Sequence, residues 1–123
     1  MADTNLGVVE SRFADIIWQR EPIHSRKLAE VCAEELGWKR PTTYNVLRKL
    51  CDKGIFRNDQ GIVTAVLSKQ EYSGMQGESF VEEKFHGSLP AFVAAFTARK
   101  RLSDEEIDQL IDIISKGRGK GDA

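Results

Sequence analysis

The stretch Trp38–Leu67, WKRPTTYNVLRKLCDKGIFRNDQGIVTAVL, reads as a basic helix that stops at a glycine and runs straight into a short β-hairpin. Pro41 suits the first helical position, where a missing N–H costs nothing. Leu47, Leu50 and Cys51 fall at i, i+3 and i+4 and mark a buried face. Thr42, Asn45, Arg48 and Lys49 lie off that stripe, with polar donors pointing outward. Gly54 after Lys53 is a helix stop. Ile55-Phe56-Arg57, then Asn-Asp-Gln-Gly, then Ile62 to Leu67 reads as strand, tight turn, strand. A helix with outward donors followed by a hairpin is the arrangement of a winged helix-turn-helix facing DNA.

Upstream, two further helices complete that unit. Helix one is predicted from Val8 to Gln19, with Val9, Phe13, Ile16 and Ile17 as its buried stripe. Glu21-Pro22 ends it, because a residue before proline resists helical geometry. Ser25 is the expected N-cap of helix two, which runs to Leu36 with Leu28, Val31 and Cys32 inward. Three such helices with a short turn before the third make a tri-helical core.

Downstream, the pattern is helical throughout. Ser68-Lys69-Gln70-Glu71 is a capping box opening a helix to about Lys84, interrupted by Gly74 and Gly77. Ser88 caps a short helix carrying Leu89, Phe92, Val93 and Phe96. Ser103-Asp104-Glu105-Glu106 opens another, carrying Ile107, Leu110, Ile111 and Ile114. These eight residues are the expected dimer interface. Each helix is short, carries a full apolar stripe, and needs packing to persist. That packing is available against a second copy of the chain or, alternatively, back on the first domain. The expected division is therefore a winged-helix domain over 1–69, a helical dimerisation region over 70–116 and a disordered tail over 117–123, in a mainly α fold with a small hairpin.

Charge points the same way. The net charge of the 123 residues is −1, but it is unevenly placed. From His24 to Arg57 eight basic residues face four acids; from Gln70 onward seven face ten. A basic middle and an acidic tail suit a nucleic-acid module joined to a partner-binding one. No apolar run approaches the ~20 residues of a membrane span and no signal peptide is visible, so a cytoplasmic location without membrane partners is expected. Cys32 and Cys51 read as buried reduced thiols, lacking the spacing of a zinc or redox motif. His24 and His86 read as surface residues. Trp18 and Trp38 read as packing residues. No catalytic constellation, metal site or cofactor-binding loop is visible, so the chain reads as a non-enzyme.

The candidate base-reading residues are Thr42, Thr43, Tyr44, Asn45, Arg48 and Lys49. The N-terminal half of a recognition helix contacts base edges. Asn bonds adenine bidentately, Arg bonds guanine, and Thr or Tyr reaches a phosphate or a thymine methyl. Tyr44 has a second reading, packed inward against helix two. Arg26, Lys27, Lys39, Arg40 and Arg57 are candidate phosphate clamps, setting affinity and register without reading sequence.

Several blocks in order resemble one family. Phe13-Ala14-Asp15-Ile16-Ile17-Trp18 resembles its first-helix pattern. Thr42-Thr43 followed by Leu47, Leu50, Lys53 and Gly54 resembles its recognition helix. GSLPAFVAAF and then LSDEEIDQLIDII resemble its C-terminal dimerisation helices. On these blocks the stretch from Leu6 to Lys116 resembles the BlaI/MecI/CopY penicillinase-repressor family of bacterial regulators. The resemblance implies a homodimeric winged-helix repressor on a palindromic operator. It also implies a regulatory protease or sensor as partner, with release by cleavage in a C-terminal helix, or by metal exchange in the copper branch.

Three features depart from the family pattern. The paired Cys-x-Cys motifs of the copper branch are missing from the GRGKGDA end. Ala95-Phe96 stands where cleavable members carry Asn-Phe, and is the position of possible cleavage. The wing has no basic residue between Asn58 and Leu67, where the family is rich in Arg and Tyr. The weak wing and low pI of about 6.1 keep open a second class, a winged-helix protein-interaction module without specific DNA binding.

Overall fold

A computed structural model describes residues 5–117. The elements run α1 (Val8–Arg20), β1 (Ile23–His24), α2 (Ser25–Leu36), α3 (Arg40–Asp52), β2 (Phe56–Asp59), β3 (Ile62–Ala65), α4 (Lys69–Phe85), α5 (Leu89–Arg99) and α6 (Asp104–Gly117). This is a winged helix followed by a helical region. It divides into two compact units, one ending at Ser79 and one beginning at Phe80. The break thus falls inside α4, ten residues beyond the 69/70 boundary drawn from the Ser68 capping box. That box marks a helix start, and the first turns of the helix still belong to the first unit.

In the first unit the apolar stripes of α1, α2 and α3 meet over the sheet. Phe13, Ile17, Leu28, Cys32, Leu50, Ile55 and Val63 are fully buried. Val9, expected in that stripe, is 52 % exposed. It lies at the first turn of α1, before the helix reaches its neighbours. Trp18 donates its indole N–H to the Leu67 carbonyl at 2.9 Å and makes tilted ring contacts with Phe56 and Tyr72. Trp38 packs on Phe13 at 5.3 Å. Lys69 pairs with Asp15 at 2.9 Å and ties the start of α4 to α1.

The sheet holds one strand more than the hairpin. Its order is β1-β3-β2, all antiparallel, with Ile23 opposite Val63 and His24 opposite Ile62. Two residues after a proline are too short a segment to show a strand period. They pair because β3 offers an open edge, and Ser25 N–H extends the ladder to the Gly61 carbonyl at 2.7 Å. The extra strand also changes the cap of α2. Ser25 is already the first helical residue, and His24 caps it by accepting from Arg26 N–H through Nδ1 at 3.1 Å. α3 begins at Arg40, which places Pro41 second in the helix, still within the turn where no N–H partner is lost.

The wing turns tightly. Asp59 pairs with Ile62 across Gln60 and Gly61, both at positive φ of 52° and 93°, as a two-residue type I′ turn requires. Asn58 Oδ1 accepts the Gly61 N–H at 2.9 Å.

In the second unit, both predicted serine caps form. Ser88 Oγ accepts from Ala91 N–H and Ser103 Oγ from Glu106 N–H, each at 3.1 Å. The Ser68 box at the start of α4 is likewise closed in both directions. Phe80, Phe85, Phe92 and Phe96 form a chain of ring contacts at 5.5–6.1 Å. Neither α5 nor α6 buries a single residue. Gly117 is the last residue of α6 rather than the first of a tail; the rest of the expected tail, 118–123, lies outside the described residues.

Candidate nucleic-acid interface

The helix-turn-helix is α2, Gly37-Trp38-Lys39 and α3. Gly37 takes the left-handed conformation that closes α2, and Trp38 N–H reaches back to the Cys32 carbonyl at 3.3 Å. α3 is then oriented by three buried residues, Thr43, Leu47 and Leu50. With 3.6 residues per turn, Thr42, Asn45, Arg48 and Lys49 fall on the opposite side of the helix, while Tyr44 and Val46 lie at its flanks.

Thr42, Asn45, Arg48 and Lys49 are exposed, on the face opposite the core. Thr43 is not among them. It is completely buried, so its side chain cannot reach a base in this conformation. Among the described residues its hydroxyl has no hydrogen-bond partner of good geometry. It lies beside the Cys32 thiol, whose pKa is raised, first by burial, with the Thr43 hydroxyl opposing that shift weakly. The Thr-Thr pair could not reveal this from sequence, because adjacent positions on a helix look alike until the neighbouring helix is placed.

Tyr44 is half-buried. With Leu47, Arg48, Cys51 and Asn58 it lines an open recess of about 350 Å³ between α3 and β2. β2 therefore stands beside the side of α3 that carries Tyr44 and Cys51, with Arg48 common to this recess and the exposed face. The Cys51 thiol at the back of this recess has its pKa raised by burial.

Lys49 points toward the start of α1. Its ammonium is 3.1 Å from Glu10 Oε2, while Glu10 Oε1 accepts the Gly7 N–H. The Gly7 hydrogen bond first, and Lys49 second, hold the Glu10 carboxyl below its ordinary pKa. Lys53 donates to the Asn5 carbonyl at 2.7 Å. Charge at the C-terminal end of α3 is thus engaged within the chain. Arg26, Lys27, Lys39, Arg40, Arg48 and Arg57 are exposed and, among the described residues, take part in no ion pair. They are distributed over the start of α2, the start and middle of α3, and β2.

The sequence reading missed His24. Besides capping α2, its Nε2 stands 2.9 Å from where a Cβ on Gly61 would lie, so it fills the space under the wing turn. A histidine immediately before a helix start was the available signal.

No described helix is long and apolar enough to cross a membrane. The chain is 22% identical over 109 residues to a protein named penicillinase repressor from Bacillus licheniformis, covering 85% of each chain. It is 24% identical over 111 residues to the methicillin resistance regulatory protein MecI of Staphylococcus aureus, covering 87% of this chain and 90% of that one. Residues 6–116 match the family described as penicillinase repressor. With its winged helix, its α3 face and a match spanning nearly its whole length, the chain belongs to the penicillinase repressor family of transcription regulators.

Proposed function

We propose that this chain is a sequence-specific DNA-binding transcriptional repressor that acts as a homodimer on an inverted-repeat operator. The observation that carries the proposal is the outward face of α3. Thr42, Asn45 and Arg48 stand exposed on it, and among the described residues the cations at the start of α2 and at the start and middle of α3 take part in no ion pair. In this reading Asn45 and Arg48 read bases, with Thr42 and Tyr44 at their side. Lys49 joins them only by exchanging its Glu10 partner for DNA. Arg26, Lys27, Lys39, Arg40 and Arg57 grip phosphates.

Dimerisation is assigned to α5 and α6. Leu89, Val93, Phe96, Ile107, Leu110, Ile111 and Ile114 are each at least 40 % exposed, with Phe92 half-buried among them. Such a concentration of exposed large apolar side chains on short helices fits a covered interface. A two-fold dimer places two recognition helices about 34 Å apart, one DNA turn. Release belongs to the same proposal. Cutting α5 at Ala95-Phe96, by a protease under sensor control, would detach α6 from the interface, and each half-site would lose an avidity factor of about 10²–10⁴.

The test is binding to a duplex selected from a random pool. Asn45→Ala and Arg48→Ala should each cost about 1–3 kcal/mol and relax one base position, whereas Lys39→Ala should weaken all sequences and lower the salt slope. Variants that bind the selected duplex like the parent would refute the assignment. So would a chain that scatters light as a monomer at tens of micromolar. Intact mass from induced cells decides the cleavage step: full-length protein alone, with the target genes switched on, excludes it.

A further inference from the structure

The wing carries a single charged residue from Asn58 to Leu67, and it is an acid, Asp59. It sits at the tip of the hairpin, fully outside the core, next in sequence to Asn58. Asn58 shares the recess beside α3 with Tyr44 and Arg48. Successive strand residues leave opposite faces, so Asp59 does not share that recess; in the reading of α3 as the recognition helix, a duplex on its outward face passes the wing tip, where the one charge has the sign of its own phosphates.

Nothing in the fold requires that carboxylate. The turn is closed by other groups, the Asn58 amide oxygen and the positive-φ pair Gln60-Gly61. Among the described residues the Asp59 side chain makes no hydrogen bond or ion pair, although Arg57 lies on the same strand and Arg48 on α3. The charge is therefore not neutralised among the described residues.

We propose that Asp59 is an electrostatic brake on DNA binding. It subtracts affinity from every duplex regardless of sequence, so that occupancy depends on the base contacts made by α3. This rests on the reading of the chain as a duplex-DNA binder. The physical argument is additive. A like charge roughly 8–10 Å from a phosphate in a water-like medium weakens binding about twofold. Two or three phosphates within a Debye length make this about three- to tenfold at low salt, and much less when salt screens them.

The experiment compares the full-length chain with Asp59→Asn and Asp59→Lys on two probes, a mixed-sequence duplex of about 30 base pairs and a duplex selected from a random pool, over a range of salt. Matching thermal melts of the free proteins establish that the wing is intact. Asp59→Asn should bind both duplexes about three- to tenfold more tightly near 50 mM salt, with the gain shrinking as salt rises. Asp59→Lys should bind more tightly still and steepen the salt dependence by about one unit. Unchanged affinity of Asp59→Asn on both probes would place the wing tip away from the duplex and overturn the proposal. A loss confined to the selected duplex would overturn it too, because Asp59 would then be accepting a hydrogen bond from a base. A parent chain that binds neither duplex defeats the DNA-binding reading itself, a result distinct from either of these.

Discussion

Replacing Thr43 by valine should stabilise this protein without weakening its hold on DNA. Thr43 is fully buried on α3, and its Oγ1 has no hydrogen-bond partner of good geometry among the described residues. A buried hydroxyl left unsatisfied costs about 1–3 kcal/mol. Valine keeps the branched shape of threonine and puts a methyl where the hydroxyl stood. The neighbouring Cys32 thiol is a weak hydrogen-bond partner, which takes the expected gain toward the low end of that range, about 1 kcal/mol. For a unit of this size such a gain raises the midpoint of thermal unfolding by about 4–8 °C. Unfolding should be followed by circular dichroism at one fixed protein concentration, since the apparent stability of the proposed dimer depends on it. Affinity for a selected duplex should be measured alongside. Two results refute the reasoning. A lower midpoint means the hydroxyl is bonded, to Sγ of Cys32 or to a buried water. A loss of DNA affinity at unchanged stability means that Thr43 turns outward when DNA binds. Thr42→Val provides the contrast, because Thr42 is exposed: its effect should fall on DNA binding and leave the midpoint almost unchanged.

Three further substitutions probe the wing turn and the start of α1. Gln60→Asn should stabilise the wing by about 0.5–1 kcal/mol, since asparagine tolerates the left-handed backbone at φ 52° better than glutamine, whereas Gly61→Ala should destabilise it because of positive φ and the underlying His24 ring; denaturant midpoints report both. Glu10→Gln should lower stability at neutral pH, because the carboxylate that accepts from Gly7 N–H and faces Lys49 has a depressed pKa in the folded state. That contribution is complete above the ordinary carboxylate pKa of 4.5 and is lost as pH falls through the lowered one. The stability curves of parent and variant should therefore converge in acid, and a difference that persists there would show that Glu10 acts through packing rather than charge.

The helices were legible because their signals are local. Ser68, Ser88 and Ser103 each stand at a helix start with the hydrogen bond their position implies, and Phe13, Ile17, Leu28, Leu47 and Leu50 recur at helical spacing and are buried. The glycine of the wing turn was equally readable, because a two-residue hairpin loop needs positive φ. Charge asymmetry pointed to the middle of the chain without any coordinates. What the sequence alone could not decide were matters of which neighbour a residue meets. Ile23-His24 becomes a strand only because β3 passes beside it, and that same pairing moves the cap of α2 from Ser25 to His24. Val9 has the periodicity of a core residue but stands 52 % exposed in the first turn of α1. Thr42 and Thr43 are chemically identical and one residue apart, a step of about 100° around the helix. The packing of α2 against α3 buries one hydroxyl and leaves the other in solvent. Lys49 shares its helix face with Asn45 and Arg48, but the start of α1 brings Glu10 within reach of it alone. Local rules act within a turn or two of chain, whereas burial and ion pairing depend on elements tens of residues away.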